Sequence, residues 1–290
     1  MTQFMPQGRQ PDDGSHRPSI WAFSASSLVA IIVGAAVMAQ AGIPLDTWVR
    51  NPVMWVVAAI IGVVTASRGW LGFPVTLLAV LVIVLSIWGP EQEGVSRWVG
   101  GGPIQLNAAA LVLPLAIAVF TPGRRWLAIP CFLVMGGVIA HQPDVSQLAG
   151  FVSASVVLFG FAFRMAGALA ALLIGAGLIA YCVMQPDPLL PVPHVEGIFG
   201  LAFSQSAVLG YGLAVSLVVA VLSPLLLWRS ADLRWKALAL SGYFAATAIA
   251  PLLGAYPVPL GGYGLSFVIG WVLGFAALAT RNPVNSLTSA

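Results

Sequence analysis

Residues 70–88 read WLGFPVTLLAVLVIVLSIW and contain no ionisable side chain. A helix crossing a membrane needs about 20 mostly apolar residues, and a helix apolar on every side has no face to offer water. Outward from this run the pattern recurs along the whole chain, at 20–41, 52–66, 104–121, 125–141, 146–163, 166–184, 198–227, 236–254 and 260–280. Ten spans are expected, of which 52–66 and 125–141 are short and lean on flanking residues. Composition agrees. Of 290 residues, 59% are hydrophobic and 7% charged, where soluble domains carry about 25% charged residues. Twelve basic and nine acidic side chains cannot cover a water-facing surface of that size. A soluble enzyme and a disordered chain are both excluded. The net charge of +3, with no basic cluster, argues against a nucleic-acid partner. Cys131 and Cys182 lie inside apolar runs, so neither a disulfide framework nor a zinc site is expected. No strand-like alternation of about ten residues recurs, which argues against a β-barrel. The first run starts late, is long and lacks a small-residue cleavage site, unlike a cleaved signal peptide.

Basic residues orient the spans. With the N-terminus inside, Arg9, Arg17, Arg68, Arg124, Arg125, Arg164, Arg229, Arg234, Lys236 and Arg281 fall on the inner side. Only Arg50 and Arg97 fall outside, the bias expected of a multi-pass protein. The reading is an all-α polytopic membrane protein: a disordered cytoplasmic tail over 1–19, one transmembrane helical domain over 20–280, and a second cytoplasmic tail over 281–290. The longest outer connections are 89–103 and 185–197, where chemistry has room to sit.

Polar side chains near membrane depth are costly and are the first functional candidates. Four groups gather at the expected outer face. In the first, Ser96-Arg97-Trp98-Val99 runs through Gly100-Gly101-Gly102-Pro103 to Gln105. It reads either as an interfacial Trp anchor beside a flexible loop or as a site where Arg97 and glycine amides meet an anionic headgroup. The second, His141-Gln142-Pro143-Asp144, is explained by a helix stop at Pro143 and a carboxylate opening the next helix. The third, His194-Val195-Glu196-Gly197, is either a helix N-terminus or a carboxylate poised as a general base. His141 and His194 alone are a weak metal signal. The fourth, Pro257 to Ser266, is dense in Pro and Gly. It is either a sharp turn or a re-entrant loop in which Tyr263 and Ser266 supply hydroxyls.

The order and spacing of the four groups resemble the SEDS family, the FtsW/RodA/SpoVE cell-wall polymerases. Arg97-Trp98 through Gln105 is similar to their Arg-Trp…Gln-Pro-Ser-Glu segment, and Gln142-Pro143-Asp144 to their Gln-Pro-Asp. HVEGIFGLAFSQSAVLG, His194 to Gly210, resembles their His-Thr-Asp-Phe-Ile-Phe…Gly-Glu-Glu…Gly segment. Pro259 to Ser266 resembles Pro-Leu-Ile-Ser-Tyr-Gly-Gly-Ser. The resemblance implies a ten-span fold in the bacterial cytoplasmic membrane and polymerisation of peptidoglycan glycan from lipid II at the outer face. It also implies a membrane-protein partner, a crosslinking class B penicillin-binding protein. The family's essential Asp falls on Glu196, the implied general base. Arg97, Trp98, Gln105, Asp144, His194, Tyr263 and Ser266 become substrate-binding candidates, and Arg97 or a divalent cation would stabilise the leaving pyrophosphate.

The departures are specific. The family's Pro, Ser and Glu fall on Leu106, Asn107 and Ala108, its paired Glu on Ser204 and Gln205, and a motif Ser on Gly262. Its long outer loop shrinks to Gln185–Pro193. A non-catalytic scaffold or assembly subunit of a larger membrane complex is therefore a second expectation. A carrier of polyprenyl-linked lipids is a third, disfavoured because the span interiors hold no clear charge.

Overall fold

The structure, a computed structural model, describes residues 16–67, 72–102 and 104–279. Residues 1–15 of the tail assigned to 1–19 and the whole of the tail assigned to 281–290, with Arg9 and Arg281, lie outside the described residues, as does Arg68. Helix α1 spans Arg17–Gln40 and starts in the stretch read as tail, with Pro in its first turn, where a missing N–H costs nothing. The short α2, Leu45–Trp48, leads into α3, Arg50–Ser67, and then α4, Phe73–Leu85, extended by a 3-10 turn to Trp88. After the hairpin region come α5, Ala108–Ala118, and α6, Arg125–His141. The long α7, Val145–Met184, is followed by α8, Ile198–Gln205, and α9, Ala207–Leu222, which ends in a 3-10 turn to Leu227. The last two are α10, Arg234–Ile249, and α11, Leu265–Ala279.

Among the described residues, five helical segments are long and apolar enough to cross a membrane: Arg17–Gln40, Leu45–Thr65, Pro122–His141, Val145–Met184 and Ala207–Leu227. Shorter apolar helices run over Phe73–Trp88, Ala108–Ala118 and Leu265–Ala279. At 40 residues α7 would be about 60 Å long if straight, twice the hydrocarbon thickness. It is instead broken at Arg164 (φ 63, ψ −155), and the limbs 145–163 and 165–184 form a hairpin that turns on this one residue. The protein is a multi-pass, all-α membrane protein.

Two expectations need correction. The run 104–121 does not begin as helix, and 100–102 is not simply a flexible loop. Residues 91–107 form two antiparallel hairpins: β1 (Glu91–Gln92) with β2 (Val95–Ser96), and β3 (Trp98–Gly101) with β4 (Ile104–Asn107). Glu93 and Gly94, at φ 50 and 87, make the tight turn whose twist suits paired strands. Gly100 is required by more than freedom: its φ is +108, and an added Cβ would lie 2.5 Å from the Ile104 carbonyl oxygen. Two- and four-residue strands joined by glycine turns are too short to leave an alternating pattern in the sequence.

The centre of the bundle is α11, packed against α3 and α5. Close approach uses small residues, as inside membranes generally: a Cβ at Gly270 would sit 2.0 Å from the Ala110 carbonyl oxygen. Trp271 is fully buried and stacks on Phe244 at 3.9 Å, and Phe275 stacks on Phe23 at 4.1 Å. These rings tie α10 and α1 to the central helix. The second limb of α7 is the opposite case. Of its residues only Gly175 and Cys182 are buried, so nearly its whole surface is left to lipid.

Candidate functional site

The end of the bundle that carries the hairpins gathers most of the polar candidates. The turn ahead of α8 is closed from both sides: the Glu196 N–H donates to the Val192 carbonyl at 3.0 Å, and the Val192 N–H donates to Glu196 Oε2 at 2.7 Å. The prolines at 191 and 193 have no N–H to give, so Val192 is the donor that this turn can offer. The carboxylate is half-buried. Burial pushes the Glu196 carboxyl above the usual carboxylate range. The Val192 and Glu196 amides and then the Arg97 guanidinium pull it back, and the nearby Asp187 charge adds to the rise.

Arg97 reaches Glu196 electrostatically but is spent on another group. Its Nη1 donates to Asp187 Oδ2 at 3.2 Å, in a pair whose arginine is 15% exposed. Its guanidinium also lies 5.0 Å from the centre of the Trp98 ring. Trp98 in turn pairs with Asn107 across β3 and β4. Asn107 caps α5 by accepting the Ala110 N–H at 2.9 Å and donates Nδ2 to Asp144 Oδ2 at 2.7 Å.

The loop 253–264 is the other wall. From 258 to 262 it is buried rather than a surface turn: Val258 and Leu260 are 2% and 1% exposed. It pairs with the Glu196 turn through Val258 N–H to Val195 O at 3.2 Å and Tyr263 N–H to His194 O at 2.9 Å. An added Cβ at Gly262 would fall 2.3 Å from that same Val195 oxygen. Asn51 staples the loop from α3, donating Nδ2 to the Gly262 carbonyl at 2.8 Å and accepting the Gly264 N–H at 3.4 Å. Beside it Arg50 donates to the Tyr263 hydroxyl at 3.3 Å. The His194 and Tyr263 rings lie 6.3 Å apart, and burial lowers the His194 pKa.

Contacts join Arg97, Trp98 and, through Asn107, Asp144 on the hairpin side, and Glu196, His194 and Tyr263 on the loop side; the two sets are linked by the Arg97 charge felt at Glu196. Gln105 stays on the exposed hairpin face, accepting from Gln92 Nε2 at 2.6 Å. Ser266 is buried in the first turn of α11. Asp144 is 7% exposed, with Oδ1 capping the Gln147 N–H at 3.2 Å and Oδ2 held by Asn107. Asp187 is engaged by Arg97 and one Glu196 oxygen by the Val192 amide. No group of three His, Cys, Asp or Glu side chains gathers among the described residues. These side chains do not make a ligand set for a divalent cation.

Sequence reasoning passed over Asn51, Asn107, Asp187 and Tyr256 as site members. Asn51 carried a signal, an amide heading an apolar run. Tyr256 carried none: its surroundings come from the loop's path. Burial first, and then the negative groups around it, Asp144 and Asp187 among them, raise its pKa against the pull of Arg97.

No protein-family model matches the sequence, and neither does any curated protein. Solved structures do resemble it. The rod shape determining protein RodA of Thermus thermophilus matches at a TM-score of 0.64 and 20% identity, over 89% of this chain and 95% of that one. An aspartate-to-alanine mutant of the same RodA matches at a TM-score of 0.67 and 20% identity, over 89% and 96%. A chain from a peptidoglycan synthase complex that coordinates polymerization and crosslinking matches at a TM-score of 0.64 and 20% identity, over 90% and 96%. The chain has the fold of the RodA structures over nearly its whole length.

Proposed function

We propose that the chain is a divergent SEDS-type protein of the bacterial cytoplasmic membrane, its hairpin end facing outward and both termini in the cytoplasm. Its outer site acts on a polyprenyl-linked glycan precursor of the lipid II class, and Glu196 is its general base. The observation that carries the reading is the half-buried Glu196 carboxylate with a raised pKa, beside the shielded Arg97, on a turn clamped by the 253–264 loop. A base whose pKa is lifted toward the working pH transfers protons more effectively. The carboxylate takes the proton of the attacking sugar hydroxyl. The new glycosidic C–O bond forms as the anomeric C–O bond to pyrophosphate breaks, and polyprenyl pyrophosphate departs with the electron pair. Arg97 supplies the charge that meets it. The partner in this reading is a crosslinking membrane enzyme of the penicillin-binding class, supported by the likeness to a chain of a synthase complex.

A second reading is favoured by one observation. Arg97 is already neutralised by Asp187, a residue of the shortened loop, as a retired site would have it. A scaffold subunit would keep the fold without turnover. The test is glycan synthesis from lipid II by the purified chain with its co-purifying partner. Product that disappears in Glu196→Ala, with the fold intact, supports the polymerase. No product, with partner binding unchanged in Glu196→Ala, supports the scaffold.

A further inference from the structure

A different arrangement lies at the opposite end, where α6 begins and α7 turns. Between α6 and the two limbs of α7 is a cleft of ≈ 310 Å³ walled by Trp126, Phe132, Phe151, Phe159, Phe163 and Leu178. The limbs touch each other at glycines: an added Cβ would lie 2.3 Å from the Phe159 oxygen at Gly167 and 2.4 Å from Val152 Cγ1 at Gly175. Along the first limb, Phe163 to Phe151 is about 18 Å of helix. Half of the hydrocarbon core is about 15 Å, so the cleft runs the depth of one leaflet. The Ser155 hydroxyl on its wall is already donated to the Phe151 carbonyl at 2.6 Å. The walls therefore suit a hydrocarbon chain.

Its mouth is cationic. Arg125 donates Nη1 to the Ala162 carbonyl at 3.1 Å and lies over the Phe163 ring at 5.4 Å and the Trp126 ring at 6.0 Å. Arg164, exposed, is the turning residue between the limbs. Among the described residues, no carboxylate forms an ion pair with Arg125 or Arg164. A groove one leaflet deep with two arginines lacking a counter-ion at its mouth is complementary to a single kind of molecule: an acyl chain joined to an anionic phosphate.

We propose that this cleft binds a glycerophospholipid with a net negative headgroup, drawn from the leaflet on the Arg125 side. One acyl chain lies along the aromatic wall, and the phosphate sits on Arg125 and Arg164. The site is separate from the hairpin end and does not depend on the activity assigned there.

The test is native mass spectrometry of the full chain released from detergent, with phosphatidylglycerol and phosphatidylcholine of identical chains offered together. The unaltered protein should retain phosphatidylglycerol in preference. Arg125→Gln with Arg164→Gln should erase that preference, a loss of about thirtyfold for two arginines near a phosphate. Ala171→Trp, which fills the cleft, should reduce retention of both lipids, and inorganic phosphate should not compete. Equal retention of the two lipids by the unaltered protein would overturn the proposal. So would a preference that survives the double arginine change, or displacement by phosphate alone. If Ala171→Trp fails to fold, the arginine variants, altered only at exposed side chains, still decide.

Discussion

Asn107 and Asp144 meet 37 residues apart in sequence, Nδ2 to Oδ2 at 2.7 Å, and each also caps a helix: Asn107 the start of α5, Asp144 the start of α7. One contact thus fixes how two helices and the strand leading into one of them leave the hairpin end. Asp144 is buried, which strengthens the bond and makes its carboxylate costly to orphan.

Asn107→Ala removes a cap and leaves a buried carboxylate short of a donor. It should lower unfolding stability by about 2–3 kcal/mol. Unfolding in mixed detergent titrations measures this. If Asp144 instead serves a ligand and not the frame, Asn107→Ala will leave the transition in place.

The raised pKa of Glu196 has a sign that can be followed. Activity needs the ionised carboxylate, so the acid limb of the pH–rate profile should lie above the ordinary Glu range of about 4.3. Arg97→Gln removes a lowering influence and should move the limb higher, whereas Asp187→Asn should move it lower. For stability, a raised folded pKa contributes below the unfolded value and is lost as pH rises through the folded one. Glu196→Gln should therefore be more stable than the unaltered chain at neutral pH and equal to it below about pH 4. A limb that falls in Arg97→Gln would contradict the assignment.

Asn51 and Gly262 test the clamp between the two loops. Asn51→Ala strands the buried Gly262 carbonyl and should cost about 1–3 kcal/mol. Gly262→Ala pushes against Val195 O and should part the Glu196 turn from the 253–264 loop. Hydrogen exchange at the Val258 and Tyr263 amides reads that parting directly. Unchanged protection in Gly262→Ala would show that the loops do not depend on each other.

Sidedness is checked by single cysteines in a chain carrying Cys131→Ala and Cys182→Ala. Positions 93 and 187, on exposed turns, should react with an impermeant thiol reagent from outside the cell. Positions 125 and 232 should react only after the membrane is opened. Position 258 is a poor reporter, because Val258 is 2% exposed.

The helices were legible because lipid demands long apolar runs, and each run read from the sequence overlaps a helix. Runs at 146–163 and 166–184 even located the break that the structure puts at Arg164. The hairpins over 91–107 were not legible. Their register depends on two glycine-assisted turns and on Asn107 meeting Asp144, and neither leaves a periodic trace. At the site, Glu196, Arg97, Trp98, His194 and Tyr263 stood out as polar or aromatic residues beside apolar runs. Their partners did not. Asp187 could be paired with Arg97 only once the folded loop set them 3.2 Å apart, and Asn51, just ahead of the 52–66 run, gave no sign that it holds a loop 211 residues away.

The one-residue turn at Arg164 bears on how the protein is made. Two membrane passes that share a single turning residue leave no soluble link that could wait outside the bilayer while the first pass settles. Entry of the two limbs into the lipid as a pair is the expected route, each closing on the other at its glycines. An epitope tag spliced in at 164 would interrupt that delivery, whereas the same tag at Glu93 would hang from a finished hairpin.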